Sequence, residues 1–253
     1  MDSVKHCLNK VFDKIYVIHC AENDERLKNI NNQINQSGID LDIWWTCYHP
    51  HSDMMINGMI LSNNAYKIAN GKELNLTREF YSIIKTSYLR GFDKILIFED
   101  DFHLMKTEYI EEFVDNIPKD FDIIQFSILA EPFLFSIDKL EHEYENGNYF
   151  IPMEFGAWSN CGLALSRIGM KYFINFIDKK FAAADIPIYD NSNKLHIYNK
   201  LNNDNQYKLK HYIPTVPLVY LTNEFKSQVQ VKEKDDSRLY QYYNHIDKNF
   251  YII

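Results

Sequence analysis

Lys94-Ile95-Leu96-Ile97-Phe98-Glu99-Asp100-Asp101 is the stretch on which the fold of this chain turns. Four consecutive apolar side chains without alternation describe a strand covered on both faces, the pattern of a largely parallel sheet between helices. Three carboxylates follow at the strand's carboxyl end, where open α/β sheets bind their ligands. Adjacent carboxylates repel, so holding three together is costly unless a cation or hydrogen-bond donors offset the charge. A hard divalent ion, Mn2+ or Mg2+, is the simplest partner: it takes one or two carboxylate oxygens and completes its shell with diphosphate oxygens. The bland alternative is that the acids open a solvated loop. Receiver domains, magnesium phosphatases and nucleotidyltransferases share the strand-then-acid pattern, so the triplet alone names no reaction.

Working upstream, Thr77 is the expected N-cap of a helix with Phe80, Ile83, Ile84 and Tyr88 on one face and Gly91 as terminator. Residues 49–75 read as loop and short helix, and 39–45 as a strand. Before them, Lys14-Ile15-Tyr16-Val17-Ile18 reads as a buried strand feeding a helix with Leu27, Ile30 and Ile34 on its inner face, acids at its start and Gly38 past its end. Downstream, Thr107 is the expected cap of a helix carrying Ile110, Phe113, Val114 and Ile117, stopped by Pro118. Residues 121–126 read as a strand, 131–150 as an exposed loop or small hairpin. A helix from Ser166 buries Tyr172, Phe173, Phe176 and Ile177, and short strands near 214–221 precede a polar tail. Alternating strands and helices predict an α/β fold, a mixed, mostly parallel sheet flanked by helices. With no repeat of solenoid period, a single domain over 1–253 is expected.

Composition narrows the function classes. A content of 46% hydrophobic residues over 253 positions supports a sizeable core. The net charge of -8 argues against nucleic acid as the main partner, since neutralising a phosphate backbone needs a basic surface. Nothing approaches the roughly 18 to 20 apolar residues of a membrane span, and the N-terminus lacks the layout of a secretory signal. Cys7, Cys20, Cys47 and Cys161 are widely separated with no Cys-x-x-Cys, the usage of reduced thiols. A cytoplasmic location, in a bacterium or a virus-infected cell, is therefore expected; the abundance of Asn, Ile, Lys and Tyr suggests an AT-rich genome.

Three separated stretches resemble glycosyltransferase family 25, associated with lipopolysaccharide, lipooligosaccharide and collagen glycosylation. Lys14 to His19 followed by Asp24-Glu25-Arg26-Leu27 is similar to that family's opening strand and helix entry. Thr86 to Asp101 resembles its helix, turn, strand and Glu-Asp-Asp signature. Gly162 to Gly169 resembles its Gly-x-x-x-x-Ser-Arg-x-Gly element. The sequence departs from the family where Arg78-Glu79-Phe80-Tyr81-Ser82 replaces a Ser-His pair, and where Ala21-Glu22-Asn23 replaces basic residues. The resemblance implies a GT-A type, Rossmann-like fold, with the nucleotide-sugar half at about 1–130 and the acceptor half at about 131–253. It implies a UDP-linked donor, a glycan or glycoconjugate acceptor, and inversion at the anomeric carbon.

By the same resemblance Asp101 is the direct metal ligand, with Glu99 assisting through the ribose or water and Asp100 either at the cofactor or structural. The Arg26 guanidinium suits a diphosphate, the alternative being a surface arginine paired with Asp24 or Glu22. His19 is a candidate for the nucleobase or ribose, the alternative being an ordinary hydrogen-bonded histidine. Trp158, Asn160 and Gly162 are candidates for the acceptor, Trp158 being equally suited to a core. An inverting transfer needs a base to take the acceptor's proton; Asp185, among small and apolar residues, is preferred to Asp190. His211 and His245 are further candidates for the metal shell. Two rivals remain: a degenerate transferase fold serving as a carbohydrate-binding or assembly module, and a metal-dependent nucleotidyltransferase, although no glycine-rich phosphate loop is visible.

Overall fold

The computed structural model describes residues 6–46, 55–56, 59–60, 71–127, 137–153, 160–179, 209–221 and 248–252. Its elements in chain order begin with α1 (Leu8–Val11), β1 (Lys14–Cys20), α2 (Asp24–Ser37), β2 (Asp42–Thr46) and the short pair β3 (Met55–Ile56) and β4 (Met59–Ile60). There follow α3 (Gly71–Leu89), β5 (Lys94–Glu99), β6 (Phe102–Leu104), α4 (Thr107–Asp115), β7 (Ile123–Gln125) and α5 (Ile137–Glu145). The remainder are β8 (Phe150–Pro152), β9 (Leu163–Ser166), α6 (Arg167–Lys179), β10 (His211–Pro214) and β11 (Val219–Leu221), with a 3-10 turn at Lys248–Phe250.

A seven-stranded sheet in the order β2-β1-β5-β9-β7-β10-β8 organises these elements. Strands β2, β1, β5, β7 and β10 point the same way, while β9 and β8 run against them. The α/β, mostly parallel expectation is met, and the arrangement is compatible with a Rossmann-like fold. Strand β9 lies between β5 and β7, so strands from both halves of the chain share one sheet.

Side-chain alternation along the central strands feeds two cores. Ile15, Val17, Leu96 and Phe98 face one side, with Ile30 of α2 and Ile110, Phe113 and Val114 of α4. Tyr16, Ile18, Ile95 and Ile97 face the other, with Phe80, Ile83 and Ile84 of α3 and Phe173, Phe176 and Ile177 of α6. All four apolar residues Ile95 to Phe98 are fully buried, which explains the absence of alternation in their sequence. Each contributes about 1.5–3 kcal/mol of transfer free energy.

Several boundaries differ from the sequence reading. Helix α3 begins at Gly71, so Thr77 is a buried residue inside it rather than its cap. Lys106 occupies the N-cap of α4 without a side-chain bond, and Thr107 is the first helical residue. Residues 137–145, within the expected loop, form α5, where Leu140 packs with Met153 and Ile213. Residues 163–166, which precede the helix in the glycine-bounded motif, form strand β9; four residues are too few for periodicity to reveal a strand. Among the described residues no helix is long and apolar enough to cross a membrane.

Candidate functional site

Strand β5 delivers Glu99 to the carboxyl edge, and its alternation splits the acidic triplet. Glu99 follows the side of Ile95 and Ile97, whereas Asp100 follows Leu96 and Phe98 toward α2. Asp100 is buried, 5% exposed, and saturated with donors. His19 Nδ1 stands 2.9 Å from Oδ2, the Cys20 N–H donates to the same oxygen at 3.3 Å, and the Arg26 guanidinium donates to Oδ1. Burial opposes ionisation of Asp100, but the bond from His19 and the charge and bonds of Arg26 outweigh it and hold its carboxyl below the ordinary range. Because an ionised carboxylate only accepts, His19 Nδ1 carries the proton and donates. Asp100 therefore ties β1, α2 and β5 together, which is the structural alternative the sequence left open for it.

Arg26 is not the surface arginine of the alternative reading: it is 4% exposed and reaches from Asp100 to Asp101, with Nη2 3.3 Å from Asp101 Oδ2. Local sequence puts it there. Asn23 caps α2 by accepting the Arg26 N–H at 3.1 Å, and Gly38, at φ 70°, closes the other end through a bond to Ile34. Asp101 is the more open of the two carboxylates, its side chain 26% exposed against 7% for Asp100. Partial burial and the neighbouring Asp100 raise its proton affinity while Arg26 opposes them, and the net direction is upward.

Among the described residues no group of three His, Cys, Asp or Glu gathers as a metal cage. Asp101, with Glu99 nearby in sequence, is the carboxylate left that could hold a hard cation, whose remaining positions water and ligand oxygens would have to fill. Asp100 is committed elsewhere. His211, a further metal-shell candidate, lies buried on β10 beside β7, and burial lowers its pKa to about 3.

Two buried residues next to the acidic triplet carry polar atoms without partners. His19, fully buried with its ring 5.2 Å from that of Trp45, leaves Nε2 unpaired. Asn160 is 4% exposed with Oδ1 unpaired; it precedes Cys161 and Gly162, whose Sγ and N–H meet the Glu99 and Ile97 carbonyls. Asn75, which opens the formal glycosylation-acceptor match Asn75-Leu76-Thr77, is buried on α3 with both amide atoms unpaired. It stands one turn before Glu79, which accepts from Trp44 Nε1 at 2.8 Å and Thr46 Oγ1 at 3.3 Å. Trp44 is level with Ile18, and Ile18 with Glu99, across β2, β1 and β5. Such atoms normally find a partner, and a ligand or ordered water supplies one where the protein does not. His6 Nε2, at the chain's start, is likewise unpaired and lies away from this edge.

The third resembling stretch has a packing explanation. Gly162 adopts φ 78°, and a Cβ there would stand 3.0 Å from both Phe126 Cβ and Val219 Cγ2. A Cβ on Gly169 would lie 2.1 Å from the Asp122 carbonyl oxygen. Ser166 Oγ accepts the Gly169 N–H at 3.2 Å and donates to Asp122, and Arg167 donates to the Tyr88 and Phe92 carbonyls at the end of α3. This element welds α6 to β7 and α3. Trp158, Asp185, Asp190 and His245 lie outside the described residues. No protein-family model matches the chain, and no curated protein matches it significantly.

Proposed function

We propose that the chain is a metal-dependent glycosyltransferase of the GT-A type, distantly related to glycosyltransferase family 25. It moves a sugar from a UDP-linked donor to a glycan, lipopolysaccharide or protein-linked acceptor with inversion. The supporting observation is the pairing of Asp101 with Arg26 at the carboxyl edge of a mostly parallel sheet, together with unpaired polar atoms of His19 and of Asn160, the one bonded to Asp100 and the other next to Cys161 on the Glu99 carbonyl. A carboxylate next to a guanidinium suits a diphosphate bound with a cation: Asp101 holds Mn2+ or Mg2+, and Arg26 contacts phosphate oxygens. The ion supplies charge neutralisation for the departing nucleoside diphosphate. Glu99, His19 and Asn160 line the ligand, and Asp185 or Asp190 takes the acceptor's proton, roles that follow from the resemblance. The proposed location is the cytoplasm.

Thermal-shift measurements with UDP, GDP, CMP and their sugars, with and without Mn2+, on wild type and Asp101→Ala, test this directly. One nucleotide should stabilise the wild type only with metal, and Asp101→Ala should abolish the response. No nucleotide response under any metal would remove the donor site and favour a carbohydrate-binding module.

A further inference from the structure

Arg26, Asn29 and Gln33 form a buried polar stripe on α2 beside its apolar face. All three engage the chain as it leaves the acidic triplet. Arg26 binds Asp100 and Asp101, Asn29 Nδ2 donates to the Phe102 carbonyl at 2.8 Å, and Gln33 Oε1 accepts the Leu104 N–H at 2.9 Å. Steps of three and four helical residues advance about 4.5 and 6 Å, and alternate strand residues advance about 6.6 Å. Asn29 to Gln33 on the helix and Phe102 to Leu104 on β6 therefore keep approximate step, so one helix face braces the turn at Asp100 and Asp101 and the strand that follows it. Gln33 Nε2 locks the ladder by donating to Asn29 Oδ1 at 3.2 Å and to the Ile252 carbonyl at 2.8 Å. Asn29 thus has both ends of its amide engaged.

We infer that Asn29 is a positioning residue for Asp101. It holds the carbonyl of Phe102, the next residue after Asp101, while Arg26 and His19 hold the side chain of Asp100, the residue before it. The backbone bearing the Asp101 carboxylate is thus pinned on both sides, and of the pinning residues Asn29 is the one to which the proposed site gives no contact with ion or nucleotide. This inference rests on the reading of Asp101 as an ion ligand. A carboxylate fixed in advance binds a cation more tightly than one that must be ordered on binding.

The test measures Mn2+ affinity, by electron paramagnetic resonance of the free ion with and without UDP, alongside the metal-free melting temperature. The proteins are the full chain as wild type, Asn29→Leu, Asn29→Ala, Asn29→Gln, Asp101→Ala and Ser87→Ala. Ser87 is fully buried, donates to Tyr16 Oη at 3.1 Å on the opposite side of the sheet, and controls for general loosening. Asn29→Leu, Asn29→Ala and Ser87→Ala should each melt earlier. Of these three only the Asn29 truncations should weaken Mn2+ binding, by about tenfold, Asp101→Ala should abolish it, and Asn29→Gln, which keeps the amide donor, should recover most of it. Unchanged Mn2+ affinity in both truncations, or equal weakening by Ser87→Ala, overturns the positioning role. If the wild type itself fails to bind Mn2+, the ion site and this inference fall together; wild-type binding lost in Asp101→Ala but kept in the Asn29 truncations sinks only the inference.

Discussion

Asp100 shows most clearly what a single residue does here. Three donors from two other elements converge on its carboxylate. Removing it leaves the buried Arg26 guanidinium with Asp101 as its remaining close counter-charge, so the loss falls at or below the roughly 3–5 kcal/mol of breaking a buried pair outright. Asp100→Ala should show that drop in urea unfolding at neutral pH, and Asp100→Asn a smaller one because it still accepts a hydrogen bond. The sequence located the acidic triplet correctly at the end of a buried strand. It did not reveal that the middle acid is consumed internally, because Arg26 and Asp100 are 74 residues apart and no local pattern links them. Asn29 and Gln33 escaped notice for a related reason: a polar stripe on a helix is ordinarily solvated, and only the tertiary structure shows this one turned inward.

Elements with long, regular apolar patterns were legible: β1, β5, α2, α4 and α6 all lie where the sequence placed them to within a few residues. Those that failed were short or fixed by distant contacts. Helix α5 is acidic and its hydrophobic anchor, Leu140, packs on β8 and β10 rather than on a neighbour in sequence. The opening of α6 is set by close approach to β7, and its Gly169 is the most exacting position. Gly169→Ala would drive a methyl group into the Asp122 carbonyl, a backbone atom that cannot swing aside. The expected penalty meets or exceeds the roughly 1–3 kcal/mol of ordinary overpacking, readable as an early thermal melt. The weld between α6, α3 and β7 should loosen with it, so amide exchange should accelerate in the first turn of α6 before it does in β1.

Across the whole molecule, buried histidines set an acid limit. Burial lowers His211 from 6.5 to about 3, and burial together with Lys10 lowers His6 to about 4. Below pH 6.5 the unfolded chain takes up protons that the folded chain refuses at these two sites. Their contribution is complete above that pH and declines as pH falls toward the folded values, with a slope approaching about 1.4 kcal/mol per pH unit for each histidine. Urea midpoints measured between about pH 7 and pH 5 should fall accordingly, and His211→Phe should flatten the dependence. The fold class and the place of the acidic triplet at the carboxyl end of a central strand were readable from sequence; the order of strands was not, since β9 enters between two strands made much earlier. That insertion has a consequence for biosynthesis. A nascent chain that has emerged only as far as Gln125 displays β5 and β7 as unpaired apolar edges, separated by a gap that its own later residues must fill. Until β9 arrives, those edges are open to pairing with other chains, so release at the ribosome or truncation before residue 163 should yield aggregates rather than a folded half.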